Sequence, residues 1–165
     1  MKDLPARKPN RLMGYDYSQN GCYFITVCVK DRRELFWCQP VGARIARPPL
    51  SDVGEVVRKA IENIPHIYKS ISVDKYVIMP NHIHLILMIS DEHGRAMRAP
   101  TISTVVCQLK GYVTKQIGYS VWQKLFHDHI IRSNADYLDI WKYIDENPAR
   151  WHEDCFYPDY SHSTS

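Results

Sequence analysis

The sequence lacks any apolar run approaching the roughly 18 residues that a membrane helix needs, so no membrane span and no membrane partner is expected. Its N-terminus holds Lys2, Arg7, Lys8 and Arg11 but lacks the apolar stretch and small-residue cleavage site of a secretory signal, which makes a cytoplasmic protein the expectation. Cysteine is scarce. Cys22, Cys28, Cys38, Cys107 and Cys155 are odd in number and widely spaced, and none forms a Cys-x-x-Cys pair. That pattern argues against a disulfide framework and a cysteine zinc site and reads as reduced thiols. A strong excess of one charge is also missing. A net charge of +3 suits a polyanionic partner but not a dedicated nucleic-acid coat.

What is present suits one hydrophobic core. At 165 residues, 45% of them hydrophobic, the chain reads as a single domain over 1–165, with peripheral or flexible ends at 1–20 and 152–165. Basic residues gather where no period is visible: Arg7, Lys8, Arg11, Lys30, Arg32, Arg33, Arg44, Arg47, Arg95 and Arg98. These loops read either as a phosphate-binding surface or as ordinary solvated charge.

Cys22 to Val29 is rich in β-branched and aromatic residues, as a buried strand requires. From Ser51-Asp52, the residues Val53, Val56, Val57, Ala60, Ile61 and Ile64 share a helical face, and Pro65 is expected to close that helix. Ile71 to Met79 and His82 to Ile89 read as two strands of a hairpin around Pro80-Asn81. Asp91 to Pro100 reads as an exposed connection. Ile102, Val105, Val106, Leu109, Val113 and Ile117 predict a second helix ending near Gly118, and Lys124 to Arg132 predicts a strand. Ser133 with Asp136 three residues on is a helix cap, followed by the apolar face Tyr137, Ile140, Trp141 and Ile144; Pro148 ends that helix near Asn147. The order strand, helix, strand, strand, helix, strand predicts an α+β, ferredoxin-like fold: a four-stranded antiparallel sheet with two helices on one face, plus an additional C-terminal helix.

Three groups of residues are candidates for chemistry. His82 and His84 lie two apart on a strand, so both imidazoles face one point and can bind one divalent ion; the alternative is a structural pair. His127 and His129 repeat the spacing around Asp128, which suits an exposed or edge strand and a structural or DNA-contacting role more than a rival metal site. Tyr143 and Asn147 are four apart on one helical face, so a hydroxyl and an amide can address one site, or else form a core aromatic and a terminal cap. Tyr15, Tyr17, Trp37 and Trp122 are candidates for stacking on bases if exposed.

Several stretches resemble the IS200-like single-tyrosine transposases with a His-hydrophobic-His motif, and in particular their REP-associated branch. They are Tyr23-Phe24-Ile25-Thr26-Val27, Tyr76 to Leu85 with its Met79-Pro80-Asn81-His82-Ile83-His84, Ile102 to Lys115, Trp122 to Arg132, and Asp136-Tyr137 leading to Tyr143-Ile144 and Asn147-Pro148. The combination is specific; either half alone is weak. The resemblance implies a ferredoxin-like sheet whose extra helix bears the tyrosine, with Tyr143 as nucleophile, His82 and His84 as metal ligands, and Asn147 in the place of the third, helix-borne ligand, a position where some members have glutamine. It implies a Mg²⁺- or Mn²⁺-dependent transposase that cleaves and rejoins single-stranded DNA at hairpin-containing sites through a 5′-phosphotyrosine, working as a homodimer or as a monomer. Two readings stay open beside it: a non-catalytic single-strand nucleic-acid-binding module, and a metal-dependent nuclease that uses water.

Overall fold

The computed structural model describes residues 20–38, 48–90 and 100–158. Four antiparallel strands run in the order β2-β3-β1-β4, with β1 Gly21–Cys28, β2 Ile71–Ile78, β3 His82–Ile89 and β4 His127–Ile131. This is the ferredoxin-like α+β arrangement. Helices α1 (Asp52–Glu62) and α3 (Ile102–Ile117) cover one face of the sheet. On that face lie Tyr23, Ile25 and Val27 of β1 and Ile83, Leu85, Leu87 and Ile89 of β3, all buried against Val57, Ala60 and Ile61 of α1 and Val105, Val106, Leu109 and Val113 of α3. Alternation then sends His82, His84, Ile86 and Met88 to the opposite face.

That second face is the one that matters for chemistry. Register sets Cys28 beside His82, Thr26 beside His84, and Phe24 beside Ile86. Helix α4 (Asn134–Glu146) lies over the β2 side of this face. It is held there by Lys75, which meets Asp145 at 2.9 Å and sits 3.1 Å from the Trp141 ring centre, and by a hydrogen bond from Tyr137 to Asp74. Lys75 reaches this face because β2 is irregular between Val73 and Lys75.

Local chemistry explains the element ends. Ser51, Thr101 and Ser133 cap α1, α3 and α4 through their side-chain oxygens, and Gly118 ends α3 with φ of 89°, a conformation glycine adopts without strain. Pro65 does not close the chain's helical run as the sequence predicted; it opens a second short helix, α2 (Ile64–Ile67), where its missing N–H is harmless. Strand β4 is shorter than the Lys124 to Arg132 expected, because β1 offers it partners only from Cys22 to Thr26. Pro148 falls inside a 3-10 stretch, Asn147–Glu153, that continues from α4.

Two further expectations change. Trp37 and Trp122 are 8% and 6% exposed and belong to the core, so neither offers a ring to a base. Large apolar surface outweighs position in a loop here, and Val29, Phe36 and Trp37 of the irregular 29–38 stretch pack inward as part of the core. Tyr15, Tyr17, the Asp91 to Ala99 part of the connection and the basic residues at 7, 8, 11, 44, 47, 95 and 98 lie outside the described residues; Lys30, Arg32 and Arg33 are exposed.

Candidate metal and tyrosine site

The structure brings together His82, His84, Tyr143 and Asn147 and adds Asp154. His82 and His84 are 0% and 1% exposed, with their Nε2 atoms 3.0 Å apart. Each Nδ1 points away to its own partner, the side-chain oxygen of Asn81 for His82 and the Thr26 hydroxyl for His84, both at 2.8 Å. Such outer partners orient imidazoles so that the other ring nitrogen can serve a metal. Burial lowers the His82 pKa to about 2, with its His84 neighbour adding to the effect, and lowers that of His84 to about 3. Both rings are therefore neutral at ordinary pH, as ligation demands.

Helix α4 sets the Tyr143 hydroxyl 3.4 Å from His84 Nε2 while the residue stays 41% exposed. Phe24 holds the geometry from the sheet: its ring stacks on His84 at 5.2 Å and meets Tyr143 edge-on at 6.2 Å. Burial first, then the negative charge of Asp154, push the Tyr143 phenol up to about 12, with Asn147 pulling the other way. Asn147, one turn beyond Tyr143, is buried. Its Nδ2 finds no hydrogen-bond acceptor among the described residues.

Sequence reasoning did not find Asp154. The chain turns back after Asn147–Glu153, and the Asp154 side chain is buried with Oδ2 3.9 Å from His82 Nε2 and without a hydrogen-bond partner among the described residues. Its Oδ1 accepts from the Phe156 backbone N–H at 2.8 Å. Potential ligand atoms of His82, His84 and Asp154 all lie within 4.8 Å of one another. Two imidazoles and a carboxylate form a mixed nitrogen and oxygen donor set suited to a divalent transition ion, and Asp154 Oδ2 is a buried oxygen without a hydrogen bond of good geometry among the described residues. The residues fit a metal. A cleft of about 340 Å³ adjoins them, lined by Tyr143, Asn147 and Asp154 and by the charged Lys142, Glu146 and Arg150. Part of the 152–165 stretch expected to be peripheral thus reaches the site, with the Phe156 ring 4.5 Å from that of His82; Trp151, just before it, lies 5.8 Å away.

His127 and His129 do not join this cluster. Both are exposed on β4, and His129 Nε2 is bonded to Asp136 at 2.8 Å, at the start of α4. Register nonetheless puts them on the same face as Thr26 and Phe24.

No family model matches the chain. An uncharacterized protein of Haemophilus influenzae (strain Rd) is 35% identical over 174 residues, spanning 93% of this chain and 94% of that protein. A second protein of the same strain, named "Putative REP-associated tyrosine transposase", is 21% identical over 144 residues, 82% of this chain and 74% of its own. Among solved structures, a REP-associated tyrosine transposase bound to a REP hairpin shares the fold, with a TM-score of 0.63 at 22% identity over 83% of this chain and 72% of that one. Relatedness along nearly the whole length means that this chain belongs to one family with the uncharacterized Haemophilus influenzae protein, and it is similar to REP-associated tyrosine transposases in sequence and in fold.

Proposed function

We propose that the protein is a metal-dependent DNA strand transferase that cuts and rejoins single-stranded DNA through a covalent bond to Tyr143, at sites that include a hairpin. One observation carries the reading: the Tyr143 hydroxyl lies 3.4 Å from the nitrogen of His84 that faces His82, so nucleophile and metal ligands address the same atoms. The neighbour solved with a REP hairpin supports DNA as the partner.

His82, His84 and Asp154 hold the ion, with Asn147 beside them. A bound Mg²⁺ or Mn²⁺ supplies Lewis-acid stabilisation of the phosphate and of the leaving oxygen. The two imidazole donors favour Mn²⁺ over the harder Mg²⁺. Tyr143 forms the new bond from its phenolic oxygen to phosphorus while the bond from phosphorus to the 3′-oxygen breaks; the phenolic proton leaves and the 3′-oxygen takes one up. The product is a 5′-phosphotyrosine and a free 3′-hydroxyl. A second DNA 3′-hydroxyl reverses the step and joins a new strand without an external energy source. With its phenol pushed up to about 12, Tyr143 depends on a nearby base or cation to lose its proton. Nothing in this chemistry needs a membrane, and no helix among the described residues is long and apolar enough to cross one.

The test is covalent trapping. Wild type and Tyr143→Phe are incubated with Mn²⁺ and end-labelled hairpin DNA bearing single-stranded flanks, then run under denaturing conditions. A labelled protein band with wild type alone is expected, with EDTA abolishing it. Cutting by both proteins without attachment would make water the nucleophile, and binding by both without cutting would leave only a binding module.

A further inference from the structure

Asn81, 2% exposed, sits where three pieces of chain meet. Its Nδ2 donates to the backbone carbonyls of Arg32 at 3.3 Å and Phe156 at 2.8 Å, and its Oδ1 lies 2.8 Å from His82 Nδ1. Two carbonyl oxygens only accept. The amide NH₂ must therefore face them, because the opposite orientation would set an oxygen against two oxygens. The amide oxygen, which also only accepts, is then turned to His82. It follows that His82 Nδ1 carries the proton and Nε2 presents its bare lone pair to the site.

The same amide also reaches the C-terminal segment. The residue whose carbonyl it binds, Phe156, uses its own N–H to hold Asp154 Oδ1, and Asp154 Oδ2 is the oxygen near His82 Nε2. On the other side, the Arg32 carbonyl follows two residues in the left-handed region, Asp31 at φ 59° and Arg32 at φ 53°. Such a backbone is costly for residues with a side chain, and Asn81 is one of the groups that fasten it. The Asn81 main chain is fixed as well, since its carbonyl accepts from Val29 N–H at 2.8 Å and the neighbouring Pro80 carbonyl accepts from both Leu35 and Phe36.

We infer that Asn81 is a positioning residue: one buried amide sets the tautomer of His82 and latches the Asp154–Phe156 segment so that its carboxylate meets the two histidines. Its consequence for metal affinity rests on the metal-site reading proposed above; the tautomer and the latch do not.

Three measurements test this. The first needs no variant: a long-range proton-nitrogen correlation spectrum of ¹⁵N-histidine-labelled wild type in EDTA, with His82 assigned by its loss in His82→Gln. The Nδ1–H tautomer is expected, and an Nε2–H tautomer overturns the inference. The second is hydrogen exchange over residues 151–157 in wild type and Asn81→Asp, which keeps an acceptor for His82 but has no N–H for the two carbonyls. Exchange tenfold or more faster in the variant is expected, and unchanged exchange overturns the latch. The third is Mn²⁺ titration followed by electron paramagnetic resonance, where Asn81→Ala should bind at least tenfold more weakly, the usual loss when an outer partner is removed. Equal affinity in wild type and variant counts against Asn81. Absence of Mn²⁺ binding in wild type instead counts against the metal site, while the tautomer and exchange results still judge Asn81.

Discussion

Burying two histidines without charge makes the fold sensitive to acid, and the size of the effect follows from their pKa values. In the unfolded chain a histidine titrates near 6.5; in the native protein burial lowers His82 to about 2 and His84 to about 3. The folded-state values are depressed, so the unfolded chain binds more protons at every pH between them and 6.5. Stability is therefore full above about pH 6.5 and is lost as the pH falls toward 3. At pH 5 each ring that stays neutral costs about 2 kcal/mol relative to neutral pH, or about 4 kcal/mol for the pair. Set against the roughly 5–15 kcal/mol of an ordinary domain, that is a large share. The assay is urea unfolding followed by tryptophan fluorescence in EDTA at pH 7.5, 6.5, 5.5 and 5.0, for wild type and His82→Gln/His84→Gln. Groups that titrate elsewhere in the chain are common to both proteins, so the comparison isolates the pair. Wild type should lose about 4 kcal/mol more than the double variant between pH 7.5 and 5.0. Parallel pH profiles would refute the reasoning, because they would mean that the two rings protonate in place.

Other perturbations have distinct signatures. Gly54→Ala would set a methyl group 2.2 Å from the Phe36 carbonyl oxygen, a backbone atom that also accepts from Ser51 N–H, and should cost about 3 kcal/mol in urea unfolding. Lys75→Met keeps the apolar stem but removes the contacts to Asp145 and Trp141; on the order of 1 kcal/mol should be lost from the docking of α4, seen as faster hydrogen exchange in α4 than in the sheet. Thr26→Val leaves His84 Nδ1 without its hydroxyl partner, and Mn²⁺ affinity should fall about tenfold with little change in the sheet.

Much of the fold was legible because the strands carry strong local signals. The boundaries of β3, His82–Ile89, coincide with an almost unbroken apolar run after a Pro-Asn turn, and the caps at Ser133 and Gly118 fall where side-chain chemistry puts them. Pro65 misled because a proline that ends one helix also suits the first turn of another, and nothing local decides between the two. The pairing of His82 with His84 was legible from strand period alone. Their meeting with Tyr143 was implied only by the family resemblance and not by spacing, since it depends on how α4 docks, through Lys75 and a strand irregularity that no spacing reveals. Asp154 was invisible for a similar reason: it lies in a stretch without period, 72 residues after His82, and only the packing of Trp151 and Phe156 around that histidine brings it in. Two aromatics flanking an aspartate are the only trace of this in the sequence, and they are a weak one.

The return of the chain to the site at residues 154–156 has a consequence for how the protein is made. Tyr143 precedes Asp154 by only 11 residues, a shorter stretch than the ribosomal exit tunnel covers, so the tyrosine helix and the acidic residue emerge together, well after the two histidines. During synthesis the histidine pair therefore exists before either the tyrosine or the carboxylate, and both of these are supplied by one late stretch of chain.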